Sequence, residues 1–350
     1  MSEHVSIFRI NGFSTFGNPP LPRTVWGRTR YAIRKILVGR TKPGLEIEDG
    51  FELVGGRMYA SIGKSGAGKT VLNSFLMGCP AFRLKRCSAV GQFFSLQLKG
   101  RVFANRFRLM RRWRDVRRNG VLLYLPQHLP DGRGFDMRVK EYYSEIVKAL
   151  LRECDVVRST KEVLSVFDGG ADEIDKLART LKDKLARPLN RLSGGERRRV
   201  ELIARMYALR ELPADKKCLL VLDEPTTGLD VPGVKEYLAA LRKCFDECNH
   251  KNVSILVTTH ALHLLRNGDV FDDVIIVRRI DDSFDGKDTL CWVSRPLATK
   301  KMAEAWVKPK YGEGEEGWSQ FLEAQARMTK EEYVAERRNF FEEGVGNVNP

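Results

Sequence analysis

Apolar residues in this chain fall into short, nearly unbroken blocks separated by polar punctuation. Arg57–Ile62, Val121–Leu125, Cys218–Leu222 and Val253–Val257 each read as a short buried strand. Val5, Ile7, Phe8, Ile10 and Phe13 predict a further strand. Leu45 and Ile47 with Phe51 and Leu53 predict a strand pair around Glu48-Asp49-Gly50. Partial alternation from Gln92 to Val102 adds short strands, Val270–Ile280 one or two more, and Leu290–Val293 an edge strand. A different period follows these blocks. Val71–Met77 reads as a helix. Val139, Tyr142, Ile146, Val147 and Leu150 share one helical face within 135–153. Ile174, Leu177, Leu181 and Leu185 share another within 157–188. Arg197–Leu209 and 232–248 complete the helical set. Buried strands alternating with helices predict an α/β fold with a mostly parallel sheet and an antiparallel prelude.

The turns between these elements carry the candidate chemistry. Gly63-Lys64-Ser65-Gly66-Ala67-Gly68-Lys69-Thr70 matches G-x-x-x-x-G-K-[ST] and sits between a predicted strand and the helix opening at Val71. Glycines let backbone N–H groups turn inward around phosphate oxygens, and the helix start adds partial positive charge. In such a turn Lys69 reaches terminal phosphates and Thr70 offers a hydroxyl to Mg²⁺. A glycine-rich turn without ligand is the plain alternative.

Three more strand ends are polar. Val121–Leu125 runs into Pro126-Gln127-His128, Cys218–Leu222 into Asp223-Glu224-Pro225, and Val253–Thr259 into His260. Polar residues just past parallel strands lie at the sheet edge where α/β folds bind ligands. There Gln127 can reach Mg²⁺ or a water, Asp223 can hold Mg²⁺ or its waters, and Glu224 can orient or deprotonate a water. His260 can bond a phosphate or Glu224. Leu192-Ser193-Gly194-Gly195-Glu196 precedes a clear helix. Ser193 and Glu196 fit a capping box, which accounts for both without any ligand. The paired glycines are not needed by the cap and expose backbone at a helix start, an anion site.

Composition and charge narrow the picture. The chain has 350 residues, 43% hydrophobic and 30% charged, enough for a folded core. No run of about 18 apolar residues occurs, and the start Met1-Ser2-Glu3-His4 lacks a signal-peptide pattern. The seven cysteines form no C-x-x-C pair, so reduced thiols are expected rather than disulfides or zinc. The net charge of +15 is uneven. Residues 21–42 hold seven Arg or Lys and no acid, a stretch that suits a lipid surface, a partner or a solvated face. Residues 101–118 hold eight arginines against Asp115 alone. With Phe107 and Trp113 interleaved, 106–118 reads either as a nucleic-acid contact or as an exposed helix with apolar anchors. From Tyr311 onward nine acids outnumber four bases, and Tyr311–Gly317 is expected to be mobile, with a helical piece carrying Phe321, Ala324 and Met328 after it.

Taken together, Gly63–Thr70, Gln127, Leu192–Glu196, Asp223-Glu224, Asp230 and His260 resemble, in order and spacing, the nucleotide-binding domain of the ATP-binding-cassette superfamily. The wording of the phosphate loop and of Leu-Ser-Gly-Gly-Glu-Arg-Arg-Arg is similar to its lipid and multidrug exporters. The resemblance spans roughly 5–280. It implies a P-loop NTPase with a mixed sheet core, an antiparallel β subdomain and an inserted helical subdomain. It also implies Mg²⁺-dependent ATP hydrolysis, with ATP bound by Gly63–Val71 of one protomer and Ser193–Glu196 and Asp230 of the other. Adenine would stack on an upstream aromatic, best matched by Phe16. Glu224 would be the catalytic base, assisted by His260 and Gln127, with Thr70, Gln127 and Asp223 as metal residues. The expected organisation is 1–134 as the first part of the ATPase core, 135–195 as the helical signature subdomain, 196–280 as the second part of the core and 281–350 as an extension. Two functions follow: a cytoplasmic ATPase subunit, a homodimer or heterodimer working with a separate transmembrane or complex subunit, or a soluble ATPase in a nucleic-acid, ribosome-associated or antiviral complex. A third possibility is an ATP-gated clamp of low turnover.

Overall fold

The computed structural model describes residues 6–10, 13–15, 44–47, 51–77, 94–96, 102–103, 120–127, 136–170, 172–229, 231–247, 251–259, 270–281, 289–294, 300–312, 314–328, 332, 335–336 and 339. The strands are β1 (Ser6–Ile10), β2 (Phe13–Thr15), β3 (Gly44–Ile47), β4 (Phe51–Val54), β5 (Arg57–Ile62), β6 (Phe94–Leu96), β7 (Val102–Phe103), β8 (Gly120–Leu125), β9 (Lys217–Asp223), β10 (Val253–Thr259), β11 (Asp273–Asp281) and β12 (Thr289–Val293). The helices are α1 (Lys69–Leu76), α2 (Val139–Glu153), α3 (Thr160–Leu164), α4 (Glu173–Arg179), α5 (Gly194–Arg210), α6 (Val231–Glu247), α7 (Lys300–Tyr311) and α8 (Gly314–Arg327). The chain divides into two compact units: Met1–Phe8 with Leu53–Ala60 and Arg114–Asp272, and Arg9–Glu52 with Ser61–Trp113 and Asp273–Pro350.

The first unit is built on strands in the order β5, β10, β9, β8, with β8, β9 and β10 parallel. Cys218–Asp223 of β9 and all of β10 are buried, as expected for parallel strands covered on both faces. Register fixes what lies at the carboxyl edge: Leu125 pairs with Leu222, and Thr258 with Asp223. Helix α5 carries Val200, Leu202, Ile203, Ala204, Met206, Ala208 and Leu209 into the core. Packed with α2, α4, α6 and β8, it is buried on nearly every side below its first turn, with Arg198, Glu201 and Arg205 among the buried residues.

The second unit orders its strands β7, β6, β2, β3, β12, β11. β12 pairs antiparallel with β11 and parallel with β3, so it is an interior strand and not an edge. The expected β3–β4 pair does not form. β3 takes β2 and β12 as neighbours, and β4 pairs with β1 in a separate two-stranded sheet. Helices α7 and α8 pack together and on β11, with Trp306, Tyr311 and Trp318 meeting the Phe321 ring edge-on at 5.1, 5.4 and 5.7 Å.

Two further expectations are corrected. The 157–188 stretch is not a continuous helix; it breaks into α3, short 3₁₀ turns and α4. Gly169 adopts φ +98°, and Gly170 sits so close to Asp175 that a Cβ would lie 1.8 Å from its carboxylate. Residues 314–317, expected to be mobile, form the first turn of α8. Glu316 complements the positive end of that helix, and Gly317 packs where a Cβ would lie 2.1 Å from the Gly312 carbonyl.

Candidate functional site

In the second unit, β5 delivers its last residues into the glycine turn. Gly66 and Gly68 take φ +79° and +102°, the left-handed region that only glycine enters without cost. Gly63 is held against β11, so that a Cβ there would stand 2.1 Å from the Val277 carbonyl. Lys69 is buried, and its ammonium donates to the Gly63 carbonyl at 2.7 Å and the Lys64 carbonyl at 3.2 Å. The loop is therefore wrapped around the amine of its own helix. Ala67 is buried, Gly68 and Val71 are half-buried, and Lys64, Ser65, Gly66 and Thr70 are exposed. Lys64 makes a 3.5 Å ion pair with Glu323 of α8.

In the first unit, Gln127, Asp223 and Glu224 follow β8 and end β9 at the same sheet edge, as the strand pattern requires. Asp223 is fixed from two sides. Its Oδ1 accepts from the Thr258 hydroxyl at 2.6 Å and its Oδ2 from the Tyr124 hydroxyl at 3.2 Å. Glu224 has φ +49°, a left-handed conformation unusual for a residue with a side chain. Its N–H donates to the Thr258 carbonyl at 3.1 Å and also lies 3.2 Å from the Thr258 hydroxyl. Backbone strain of this kind gathers at working sites.

The Leu192–Glu196 segment opens α5 as a full capping box. Ser193 Oγ accepts from the Glu196 N–H at 3.2 Å, and Glu196 Oε2 accepts from the Ser193 N–H at 2.8 Å. The Lys184 ammonium on its other oxygen and the Ser193 N–H hold the Glu196 carboxyl below its ordinary range. The two glycines differ. A Cβ on Gly195 would meet the Gly228 carbonyl at 3.0 Å and a Leu229 methyl at 3.2 Å, whereas one on Gly194 meets nothing within 4 Å. Gly195 is thus needed for packing against the turn after Pro225, and Gly194 leaves helix-start backbone open.

Arg198, Tyr124 and Thr258 did not stand out in the sequence. Arg198 was masked by its run of arginines, although its i, i+4, i+7, i+11 spacing with Leu202, Arg205 and Leu209 marks an inward face. Phe16, His128, Asp230 and His260 lie outside the described residues, as do 23–42 and 106–118. Among the described residues no cluster of three or more His, Cys, Asp or Glu could hold a metal alone. Cys154, Cys218 and Cys244 are buried thiols.

The family model described as "ABC transporter" matches residues 48–227, which takes in the phosphate loop, Gln127, the Ser193 cap and Asp223-Glu224. The chain belongs to the ABC transporter family. It carries an ABC ATPase domain, and ATP is the nucleotide that domain binds. UvrABC system protein A of Streptococcus pyogenes is 28% identical over 161 residues, which is 43% of this chain and 16% of that protein. The vitamin B12 import ATP-binding protein BtuD of Pectobacterium atrosepticum is 40% identical over 83 residues, 24% of this ABC chain and 32% of BtuD. The chain thus spans well under half the length of these curated relatives. A solved structure titled "RNase-L Inhibitor" aligns with a TM-score of 0.46 at 18% identity, covering 98% of this chain and 48% of its own. No described helix of this ABC protein is long and apolar enough to cross a membrane.

Proposed function

We propose that this ABC protein hydrolyses ATP as a head-to-tail dimer and passes the resulting motion to a separate membrane subunit of a transporter, at the cytoplasmic face. The observation that carries the reading is the phosphate loop. Lys69 is buried and bonded to the Gly63 and Lys64 carbonyls of its own loop, which turns through the left-handed Gly66 and Gly68. Such a loop presents N–H groups to phosphate and a lysine that turns from carbonyls to terminal phosphates.

In this reading Gly63–Val71 hold the phosphates from one protomer. Ser193, Gly194, Gly195, Glu196 and Asp230 close over them from the other. The Ser193 oxygen is occupied as an acceptor by its cap, yet the hydroxyl keeps one hydrogen to donate. Phe16 stacks on adenine and His260 bonds the terminal phosphate. Glu224 takes the proton of the attacking water, with its backbone set by Thr258. Thr70, Gln127 and Asp223 supply only oxygen donors, the set Mg²⁺ prefers. When bound, that ion neutralises charge on the phosphates. We place the helical signature subdomain at 135–195 and the two parts of the core at 1–134 and 196–280, with 281–350 as an extension. The similarity to an import ATP-binding protein supports the transporter assignment.

A second reading, a soluble ATPase in a nucleic-acid-containing complex, draws on the net charge of +15 and the arginines of 106–118. The two readings share one chemical test. Lys69→Ala should abolish nucleotide binding. Glu224→Gln should keep it, lose steady-state phosphate release and accumulate an ATP-bound dimer by size-exclusion chromatography. Unchanged turnover in Glu224→Gln would remove Glu224 as the base. Co-purification with a detergent-solubilised membrane protein, against salt-sensitive retention on RNA or DNA, separates the two assemblies.

A further inference from the structure

Arg198 lies in α5, five residues past Ser193, and is 3% exposed. All five guanidinium N–H groups have a main-chain acceptor. Nε donates to the Pro225 carbonyl at 3.4 Å, Nη1 to Pro126 and, at 3.4 Å, Gln127, and Nη2 to Asp223 and, at 3.0 Å, Glu224. These carbonyls belong to two segments, one after β8 and one at the end of β9, both at the carboxyl edge of the parallel sheet. None of the acceptors is a carboxylate. Burial pushes the Arg198 pKa down, so its charge is kept in place against a desolvation penalty. An apolar side chain would fill the same volume without that cost. The fork geometry of arginine matches several fixed oxygens at once.

Glu224 supplies the second observation. Its φ is +49°, and among described non-glycine residues only Asp155, at +59°, also has a positive φ. Both sides of the residue are held. Its N–H goes to Thr258, and its carbonyl accepts from Arg198 Nη2 and from the Thr227 N–H at 3.2 Å. Arg198 is the only one of these partners that also reaches the Gln127 segment and stands on the helix opened by Ser193.

We propose that Arg198 is a positioning residue: it holds Glu224 in its left-handed conformation and ties that setting to Gln127 and to the start of α5. A shift of the helix start when nucleotide is capped is thereby transmitted to the group that handles the water. This rests on the reading of Glu224 as the base.

The test uses the full-length protein and compares Arg198→Met, Arg198→Lys, Glu224→Gln and the double variant R198M/E224Q. Thermal melting checks folding, a fluorescent ATP analogue reads binding, and phosphate release gives kcat and KM. Misplacement of a catalytic group costs rate far from the binding contacts, so R198M should lower kcat about tenfold or more. Its KM and analogue affinity should stay within about threefold of the parent. R198K offers three donors to five acceptors and should fall between R198M and the parent. In the E224Q background R198M should cost nothing further, because both substitutions remove one function. Parent-like kcat in a folded R198M, additive losses in the double variant, or loss of binding in step with kcat would each overturn the proposal. Should R198M not fold, R198K decides: reduced kcat at unchanged KM supports it and parent-like kcat overturns it. Parent-like turnover in E224Q alone instead overturns the base assignment, a result read independently of either arginine variant.

Discussion

Thr258 shows how much a single hydroxyl can organise. It donates to Asp223 at 2.6 Å and stands within reach of the Glu224 N–H. Replacing it by valine keeps shape and β propensity but strands a buried carboxylate oxygen. Thr258→Val should therefore lower stability by about 1–3 kcal/mol, read as a lower urea midpoint at unchanged slope. The sequence showed Asp223 and Glu224 because two acids after an apolar strand are conspicuous. Thr258 was hidden, since threonine is an ordinary strand residue and only the register with β9 brings it opposite Asp223. Arg198 was hidden for the opposite reason: one buried guanidinium between two other arginines looks like a solvated surface run. The phosphate loop was legible in full, because its glycine positions follow from backbone geometry alone.

At the scale of elements, the helix start at Ser193 was readable, and it forms the reciprocal cap with Glu196 that the three-residue spacing implies. Ser159 and Glu162 form the same cap at a start that the hydrophobic pattern of 157–188 did not mark. Ser159→Ala and Ser193→Ala should each cost about 0.5–2 kcal/mol, measured by chemical denaturation. The carboxyls at these starts also couple folding to pH. Glu162 is held low by the Ser159 hydroxyl and N–H, Glu173 by Lys176 and Lys243, and Glu196 by Lys184 and the Ser193 N–H. Because their folded pKa values lie below the unfolded ones, the stabilisation is present above the ordinary glutamate range. It is lost as pH falls through and below about 4.5. A midpoint in urea that drops between pH 5 and pH 3 in the parent, and drops less in Glu196→Gln, is the expected result. Strand partners were less legible than strands. The hydrophobic pattern located β3, β4 and β12 but could not say that β3 and β4 avoid each other, since pairing depends on distant segments. The first turn of α8 was missed because Gly312, Gly314 and Gly317 read as flexible, whereas Gly317 is there for close packing against Gly312.

For the molecule as a whole, the charge distribution gives the test between assemblies. Reversing four arginines within 106–118 should abolish salt-dependent retention on single-stranded nucleic acid, with basal ATP turnover preserved, if that stretch contacts phosphate. Retention unchanged by the reversal assigns those arginines to a solvated surface. The division into two units has another consequence. The buried tryptophans Trp306 and Trp318 fall in the second unit, and the sequence ranges of the first hold no tryptophan. The buried thiols of Cys154, Cys218 and Cys244 all fall in the first. Nature has thus wired two separate gauges into one polypeptide. Indole emission follows the half bearing the phosphate loop, while labelling of the Cys154, Cys218 and Cys244 thiols, read peptide by peptide, follows the half bearing Asp223 and Glu224. Coincident denaturation curves from the two would mean that the halves melt as one cooperative body; separated curves would show which gives way first.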